Sequence, residues 1–348
     1  MQNQDEIYMR RALELARHGK FKTSPNPRVG CVIVYQNKII GEGFHRQYGD
    51  AHAEVYAVNS VINKELLKEA TVYLTLEPCA HFGKTPPCVD LLIHHRFPRV
   101  VIATADPFKK VNGEGIAKLK AEGVKVTLGV CECEAIELNK RFFTFHKHKR
   151  PYIILKWAVS ADGYIGVNDN TLSKEERWIT NERSNQLSHL WRAEEDAILV
   201  GTNTAILDNP QLDCRNVNGQ NPIRILIDKQ LKVEENAAIF NKNATTYILN
   251  HVKNEKKGHL EWKKYKEGEL FDALFNLCIE KQILSIIVEG GAITHNSFIS
   301  KNTWDETRVL EGNVRLGKGV SAPNLNRISE ERFKLGDNWI DIYRNDQT

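Results

Sequence analysis

The segment Thr71-Val-Tyr-Leu-Thr-Leu-Glu-Pro-Cys79, continued by Ala80-His-Phe-Gly-Lys-Thr-Pro-Pro-Cys88, decides the reading of the first half of the chain. Thr71–Leu76 is a short apolar, β-branched run of the kind that forms a strand. Pro78-Cys79 follows it directly, and Cys88 opens the helical stretch Val89–His94. Upstream, His52-Ala-Glu54 stands at the start of another helical stretch, Ala53–Ile62. His52, Cys79 and Cys88 together offer one imidazole and two thiolates. Three such ligands leave a fourth zinc position for water, which separates a catalytic site from a closed structural one.

The metal would lower the pKa of that water toward neutrality. Glu54 lies two residues from the ligand His52 and is not itself a ligand, so it is placed to carry protons. This is the logic by which zinc deaminases attack a ring carbon bearing an amine. Taken singly, a His-x-Glu or a Pro-Cys means little, and buried cysteines are usually inert small apolar residues. Found in this order on strand–helix junctions, they predict a catalytic zinc. Eight residues separate Cys79 from Cys88, where the common deaminase pattern has two.

Working outward, Asp5 reads as the N-cap of a helix carrying Tyr8, Ala12, Leu15 and Ala16 at helical spacing. Gly30–Tyr35 and Ile39–Gly43 read as a hairpin. Strands at Val100–Ala105 and Val124–Leu128 alternate with a helix at Ile116–Glu122. A hairpin followed by β-α-β-α-β predicts an α/β sandwich. The stretch Phe145-His-Lys-His-Lys-Arg-Pro151 is basic and polar and ends in proline, which sets a boundary between domains 1–148 and 149–348. Beyond it, Tyr152–Val159, Ala197–Val200, Ile223–Ile227, Thr246–Leu249 and Ser285–Val288 are short Ile/Val/Leu runs, with helices at Glu182–Arg192 and Leu270–Lys281. Such runs predict strands covered on both faces.

A length of 348 residues suits two ordinary domains, and 41% hydrophobic with 26% charged residues is a soluble globular composition. The net charge of +4 is a weak argument for phosphate-bearing ligands and none for wrapping nucleic acid. There is no membrane-length apolar run and no signal-peptide core. Seven scattered cysteines do not form a disulfide framework, which predicts a cytoplasmic protein with reduced thiols.

Ser24-Pro-Asn-Pro-Arg-Val-Gly-Cys31, His52-Ala-Glu54 and Glu77–Cys88 closely resemble the deaminase domain of the bifunctional riboflavin-biosynthesis deaminase/reductase family. The resemblance extends over nearly the whole chain in the same domain order. It implies a cytidine-deaminase-like α/β/α sandwich followed by a dihydrofolate-reductase-like α/β domain. It also implies deamination of 2,5-diamino-6-(5-phosphoribosylamino)pyrimidin-4(3H)-one and reduction of the ribosyl chain to a ribitylamino product. Zinc would fall on His52, Cys79 and Cys88, proton transfer on Glu54, and substrate contacts on Asn26, His81, Lys84 and Asp106. Phe108 and Glu114 depart from the family's usual Asn and basic residue, and His45 reads as structural or surface.

In the second half, Val288-Glu-Gly-Gly-Ala-Ile-Thr-His-Asn-Ser297 reads as a strand, a glycine turn and a helix whose N-terminus would favour phosphate. No side chain donates hydride, so a reductase must borrow a nicotinamide or flavin. Leu155–Gly163, Trp178-Ile-Thr180, Val200–Thr204, Asp208-Asn-Pro210 and Glu289-Gly-Gly291 resemble the same family's reductase motifs. The resemblance implies NADPH near Ala158, Trp178, Thr204, Asp208, Gly291 and Ser297, and substrate near Lys156, Arg192, Leu212, Arg215 and Glu289. Glu176 departs from the usual Ser. A small-molecule substrate and a homo-oligomer are expected. The rival readings are a tRNA base deaminase with an accessory ligand-binding domain and a module stabilised by structural zinc, which would need a fourth protein ligand.

Overall fold

The computed structural model describes residues 4–80, 82, 86–108, 113–167 and 178–345. They form two compact units, Met1–Lys149 and Arg150–Thr348. No helix among the described residues is long and apolar enough to cross a membrane.

The first unit runs α1 (Gln4–Arg17), β1 (Gly30–Tyr35), β2 (Lys38–Phe44), α2 (Ala53–Ser60), β3 (Thr71–Leu74), α3 (Cys88–His94), β4 (Arg99–Ile102), α4 (Glu114–Ala121), β5 (Lys125–Leu128), α5 (Glu132–Leu138) and α6 (Lys140–His148). Its sheet has the order β2-β1-β3-β4-β5. β1 pairs antiparallel with β2 and β3, whereas β3, β4 and β5 are parallel. Successive strand side chains face opposite ways. Cys31, Ile33, Val72, Leu74, Val100 and Ile102 accordingly pack on α2, α3 and α4, while Val32, Tyr73 and Val101 pack on α1 and α5. The result is the expected α/β/α sandwich. A Cβ on Gly43 would lie 2.4 Å from the backbone of Ala53 and Ala57, so only glycine lets α2 settle this closely on β2.

One local expectation fails here. Asp5 lies inside the first turn of α1, where its carboxylate takes a paired bond from Arg99 (2.6 and 2.9 Å) and one from the Tyr73 hydroxyl (2.8 Å). The first part of the Phe145–Pro151 stretch is helical, since α6 continues through His148, and the two units divide just after it.

The second unit runs β6 (Tyr152–Val159), β7 (Tyr164–Gly166), α7 (Glu182–Glu194), β8 (Ala197–Gly201), α8 (Thr202–Asp208), β9 (Ile223–Ile227), β10 (Thr246–Asn250), β11 (Glu255–Lys257), β12 (Leu260–Lys264), α9 (Leu270–Lys281), β13 (Ser285–Val288), α10 (Ala292–Ser300), β14 (Glu306–Glu311), β15 (Val320–Ser321), β16 (Glu331–Leu335) and β17 (Asn338–Arg344). The main sheet has the order β11-β12-β10-β9-β8-β13-β6-β14-β17-β16, parallel from β12 to β14. Its central strands are buried on both faces. Ile153, Leu155, Leu199 and Ile286 meet α9 and α10, and Ile154, Ile198, Val200 and Ile287 meet Trp191 of α7 and Ala205 of α8.

Candidate active sites

In the first unit the chain brings three ligand types together by local means. His52 is the residue just before α2, in extended conformation, and its side chain does not cap the helix. Cys88 is the first residue of α3, and its backbone N–H points at Cys79 Sγ (3.3 Å). His52 Nδ1 lies 3.2 Å from Cys88 Sγ and 3.5 Å from Cys79 Sγ. The three ligand atoms all sit within 4.8 Å of one another, and among the described residues this is the one such group. The Cys79 thiol is pulled down to about 4, first by the hydrogen bond with Cys88 and then by His52. Cys88 is pushed up by the same pairing and by burial. A cation binding there would take both sulfurs as thiolates and release their protons.

Glu54 sits in the first turn of α2, 3% exposed, and burial raises its pKa. Asn26 donates its amide N–H to His45 Nε2 (3.1 Å), while His45 Nδ1 bonds the carbonyl of Ala51 (3.1 Å). That carbonyl can only accept, so Nδ1 carries the proton and Nε2 accepts from Asn26. His45 is 3% exposed and stands edge-on to the His52 ring at 5.7 Å. It orients the Asn26 amide, a role that its sequence position, a lone histidine after a strand, did not signal.

Asp106 is buried, which raises its carboxyl to about 6, and it accepts the Phe108 N–H (2.8 Å). Phe108 turns onto α6, edge-on to His146 at 5.0 Å. Burial holds that imidazole down to about 4. Glu114 is exposed in the first turn of α4. His81, Lys84 and, in the second unit, Glu176 lie outside the described residues.

The second unit opens a cavity of about 990 Å³. Ala158 of β6, Gly201 at the end of β8, Ile227 at the end of β9 and Glu289 just after β13 place it at the carboxyl ends of parallel strands, where α/β sheets bind ligands. Lys156, Ala158, Trp178, Arg192, Thr204, Asp208, Leu212, Arg215, Glu289 and Gly291 all line it. Ser297 does not. It lies in the second turn of α10 and donates its hydroxyl back to the Thr294 carbonyl (2.6 Å). The first turn of α10 does reach the cavity through Gly291, Ala292 and Ile293, offering backbone N–H groups to an anion.

Charge is concentrated at one point of this wall. Arg192 grips Glu289 with two bonds (2.8 and 2.7 Å) and spends a third N–H on the Asp213 carbonyl (3.2 Å). Lys156 Nζ lies 3.4 Å from the same carboxylate. All three side chains are at most 15% exposed. Opposed by burial, the two cations still hold Glu289 down to about 2, whereas burial pulls the Lys156 ammonium below its ordinary value. Arg215 is different: its side chain is 56% exposed and bonded only to Asp213 among the described residues.

Residues 2–104 match the cytidine and deoxycytidylate deaminase zinc-binding region, and residues 151–339 match the RibD C-terminal domain. Fold and sites therefore define a two-part enzyme, a deaminase unit followed by a reductase unit. The riboflavin biosynthesis protein RibD of Aquifex aeolicus is 40% identical over 95% of this chain and 93% of its own length. That of Escherichia coli K12 is 35% identical over 95% of both chains. The solved structure of Acinetobacter baumannii RibD superposes with a TM-score of 0.87 at 30% identity, covering 97% of this chain and 98% of that one. A Thermotoga maritima structure described as a diaminohydroxyphosphoribosylaminopyrimidine deaminase/5-amino-6-(5-phosphoribosylamino)uracil reductase gives 0.86 at 32% identity, covering 98% of each. The chain belongs to the RibD family of riboflavin biosynthesis proteins. None of these matches favours the tRNA-deaminase alternative.

Proposed function

We propose that residues 1–148 bind zinc through His52, Cys79 and Cys88 and deaminate 2,5-diamino-6-(5-phosphoribosylamino)pyrimidin-4(3H)-one, and that residues 149–348 reduce the product with NADPH to 5-amino-6-(5-phosphoribitylamino)uracil. The observation that carries the reading is the convergence of three ligand atoms within 4.8 Å, with the buried carboxylate of Glu54 two residues after His52 in the first turn of α2. The donor set suits zinc, and among the described residues the group includes no fourth protein ligand, which fits a catalytic site. A bound zinc ion supplies an activated water, and a bound NADPH supplies hydride. Glu54 takes the proton from the attacking water and returns protons to the ring nitrogen and the departing amine. Asn26, its amide fixed by His45, and Asp106 hold the ring, with His81 and Lys84 as further contacts.

In the second unit the cavity and the α10 N-terminus suit a dinucleotide, held by Ala158, Trp178, Thr204, Asp208 and Gly291. Substrate lies against Lys156, Arg192, Leu212, Arg215 and Glu289. Arg192 is already committed to Glu289, so its work is to fix that carboxylate, and the freer Arg215 meets the ribose phosphate. Lys156, buried and close to Glu289, is placed to give the proton that the sugar oxygen needs when the ring opens. A homo-oligomer in the cytoplasm, free of nucleic acid, completes the reading, and light scattering on purified protein tests the assembly. The decisive assay follows ammonia release from the diaminopyrimidine and then NADPH oxidation, with Glu54→Gln as control. Ammonia without Glu54 would overturn the deaminase assignment.

A further inference from the structure

Glu77 stands two residues before the ligand Cys79 and takes no part in the chemistry above. It is 4% exposed, and among the described residues its carboxylate pairs with no cation. It is bonded to backbone instead. Oε2 accepts the N–H of Asp106 (3.2 Å) and of Gly113 (3.0 Å), and Oε1 accepts that of Ile116 (3.1 Å). Its own N–H donates to the Thr104 carbonyl (3.0 Å). One side chain thus ties the segment that delivers Cys79 to the loop that carries Asp106 and to the first turn of α4.

The α4 end shows why a distant residue is needed. Its N-cap is Gly113, which has no side chain to offer, so Glu77 satisfies two of the turn's N–H groups from 36 and 39 residues away. A carboxylate is also the charge that a helix N-terminus favours. Packing fixes the same distance independently. A Cβ on Gly115 would lie 2.3 Å from the Pro78 carbonyl and 3.2 Å from Glu77 Oε1, so α4 rests directly on the Glu77–Pro78 backbone.

A carboxylate that merely capped α4 would have no reason to hold the Asp106 N–H. We propose that Glu77 is a positioning residue for deamination, setting Asp106 against the Cys79 segment and thereby controlling how tightly the pyrimidine is held. The proposal rests on the deaminase reading above and on Asp106 as a substrate contact.

A double-mutant cycle tests it, using the full chain, the diaminopyrimidine substrate and ammonia release. Glu77→Gln keeps the size but replaces one acceptor oxygen with a donor. It is expected to retain one zinc per chain and full reductase activity on the deaminated intermediate. The deaminase KM should rise about tenfold while kcat stays within about threefold. In an Asp106→Ala background the same substitution should add less than about twofold, because its effect passes through Asp106.

Penalties that multiply in the double variant would overturn the proposal. So would loss of zinc, or a fall in kcat at constant KM, since these mark a residue that only holds the fold. An Asp106→Ala variant with unchanged KM would overturn it too. Should Glu77→Gln fail to fold, Gly115→Ala presses on the same contact while leaving the carboxylate in place. It should show the same KM rise and the same loss of effect in the Asp106→Ala background. The wild-type rate keeps the two readings apart. Without ammonia from the wild type the deaminase reading falls and takes this one with it; with a normal wild-type rate, only the role of Glu77 is at stake.

Discussion

The two units solve the same problem in opposite ways. In the first, the ligand atoms come from short segments that local structure aims inward, a residue before α2 and two cysteines flanking one loop. In the second, the charged centre is assembled across the fold: Lys156 and Glu289 are 133 residues apart and Arg192 and Glu289 are 97. The first site is a spacing and the second is a topology. Soft ligands can wait for a cation with little penalty. Three buried charges must instead compensate one another before any ligand arrives.

The sharpest test of this contrast separates the two activities. Glu54→Gln should lower ammonia release by about 10³-fold, in the range for removing a general acid–base group, and leave NADPH oxidation on the deaminated intermediate untouched. Lys156→Met should do the reverse, lowering NADPH oxidation by about 10²-fold or more at normal ammonia release. Crossed effects would mean that the sites are not independent. Removing zinc with a chelator should likewise abolish deamination alone, and adding zinc back should restore it.

What could be read from sequence follows the same divide. His52, Cys79 and Cys88 were legible because residues fixed by one strand and two helix starts keep their spacing in the chain. Lys156, Arg192 and Glu289 carry no such spacing, and only the family resemblance pointed to them. Asp5 looked like a cap because its partner Arg99 is 94 residues away. Strand β14 was missed because Glu306 and Arg308 interrupt its apolar run. Both are buried, 2.6 Å apart, so their charges offset each other inside. His45 reads from sequence as structural or surface, and orienting an amide leaves no pattern in the chain that would narrow this further.

A smaller effect tests the claim that the second centre is compensated in advance. Arg192→Leu removes two bonds to Glu289 and leaves Lys156 as its remaining cation at 3.4 Å. Breaking a buried pair costs about 3 kcal/mol or more. For a unit of this size that is a fall in Tm of about 6–12 °C. All six tryptophans lie at or beyond Trp157, so their fluorescence follows the second unit alone. An unchanged tryptophan transition would show that the triad is not load sharing and that each charge is solvated separately.

The smallest effect is one of pH, and the same fluorescence isolates it. His295 is fully buried against Trp157, and burial lowers its pKa to about 3 from 6.5. Above pH 6.5 the ring is neutral in both folded and unfolded chains and contributes no pH dependence. Between 6.5 and 3 the unfolded chain takes up a proton that the folded chain refuses, so stability falls as pH falls. The slope from this one group is at most about 1.4 kcal/mol per pH unit. Glu289 is also shifted, to about 2 from 4.5, and its contribution is lost only as pH falls below 4.5. From pH 6.5 to 5 the histidine therefore acts without the carboxylate. His295→Leu should reduce the slope of the tryptophan-detected urea midpoint across that window, leaving the share of His189, whose pKa burial also lowers, and the steeper loss below pH 4.5. Equal slopes for the two proteins between pH 6.5 and 5 would mean that the ring is protonated inside the fold, and that α10 rests on an imidazolium compensated by its neighbours.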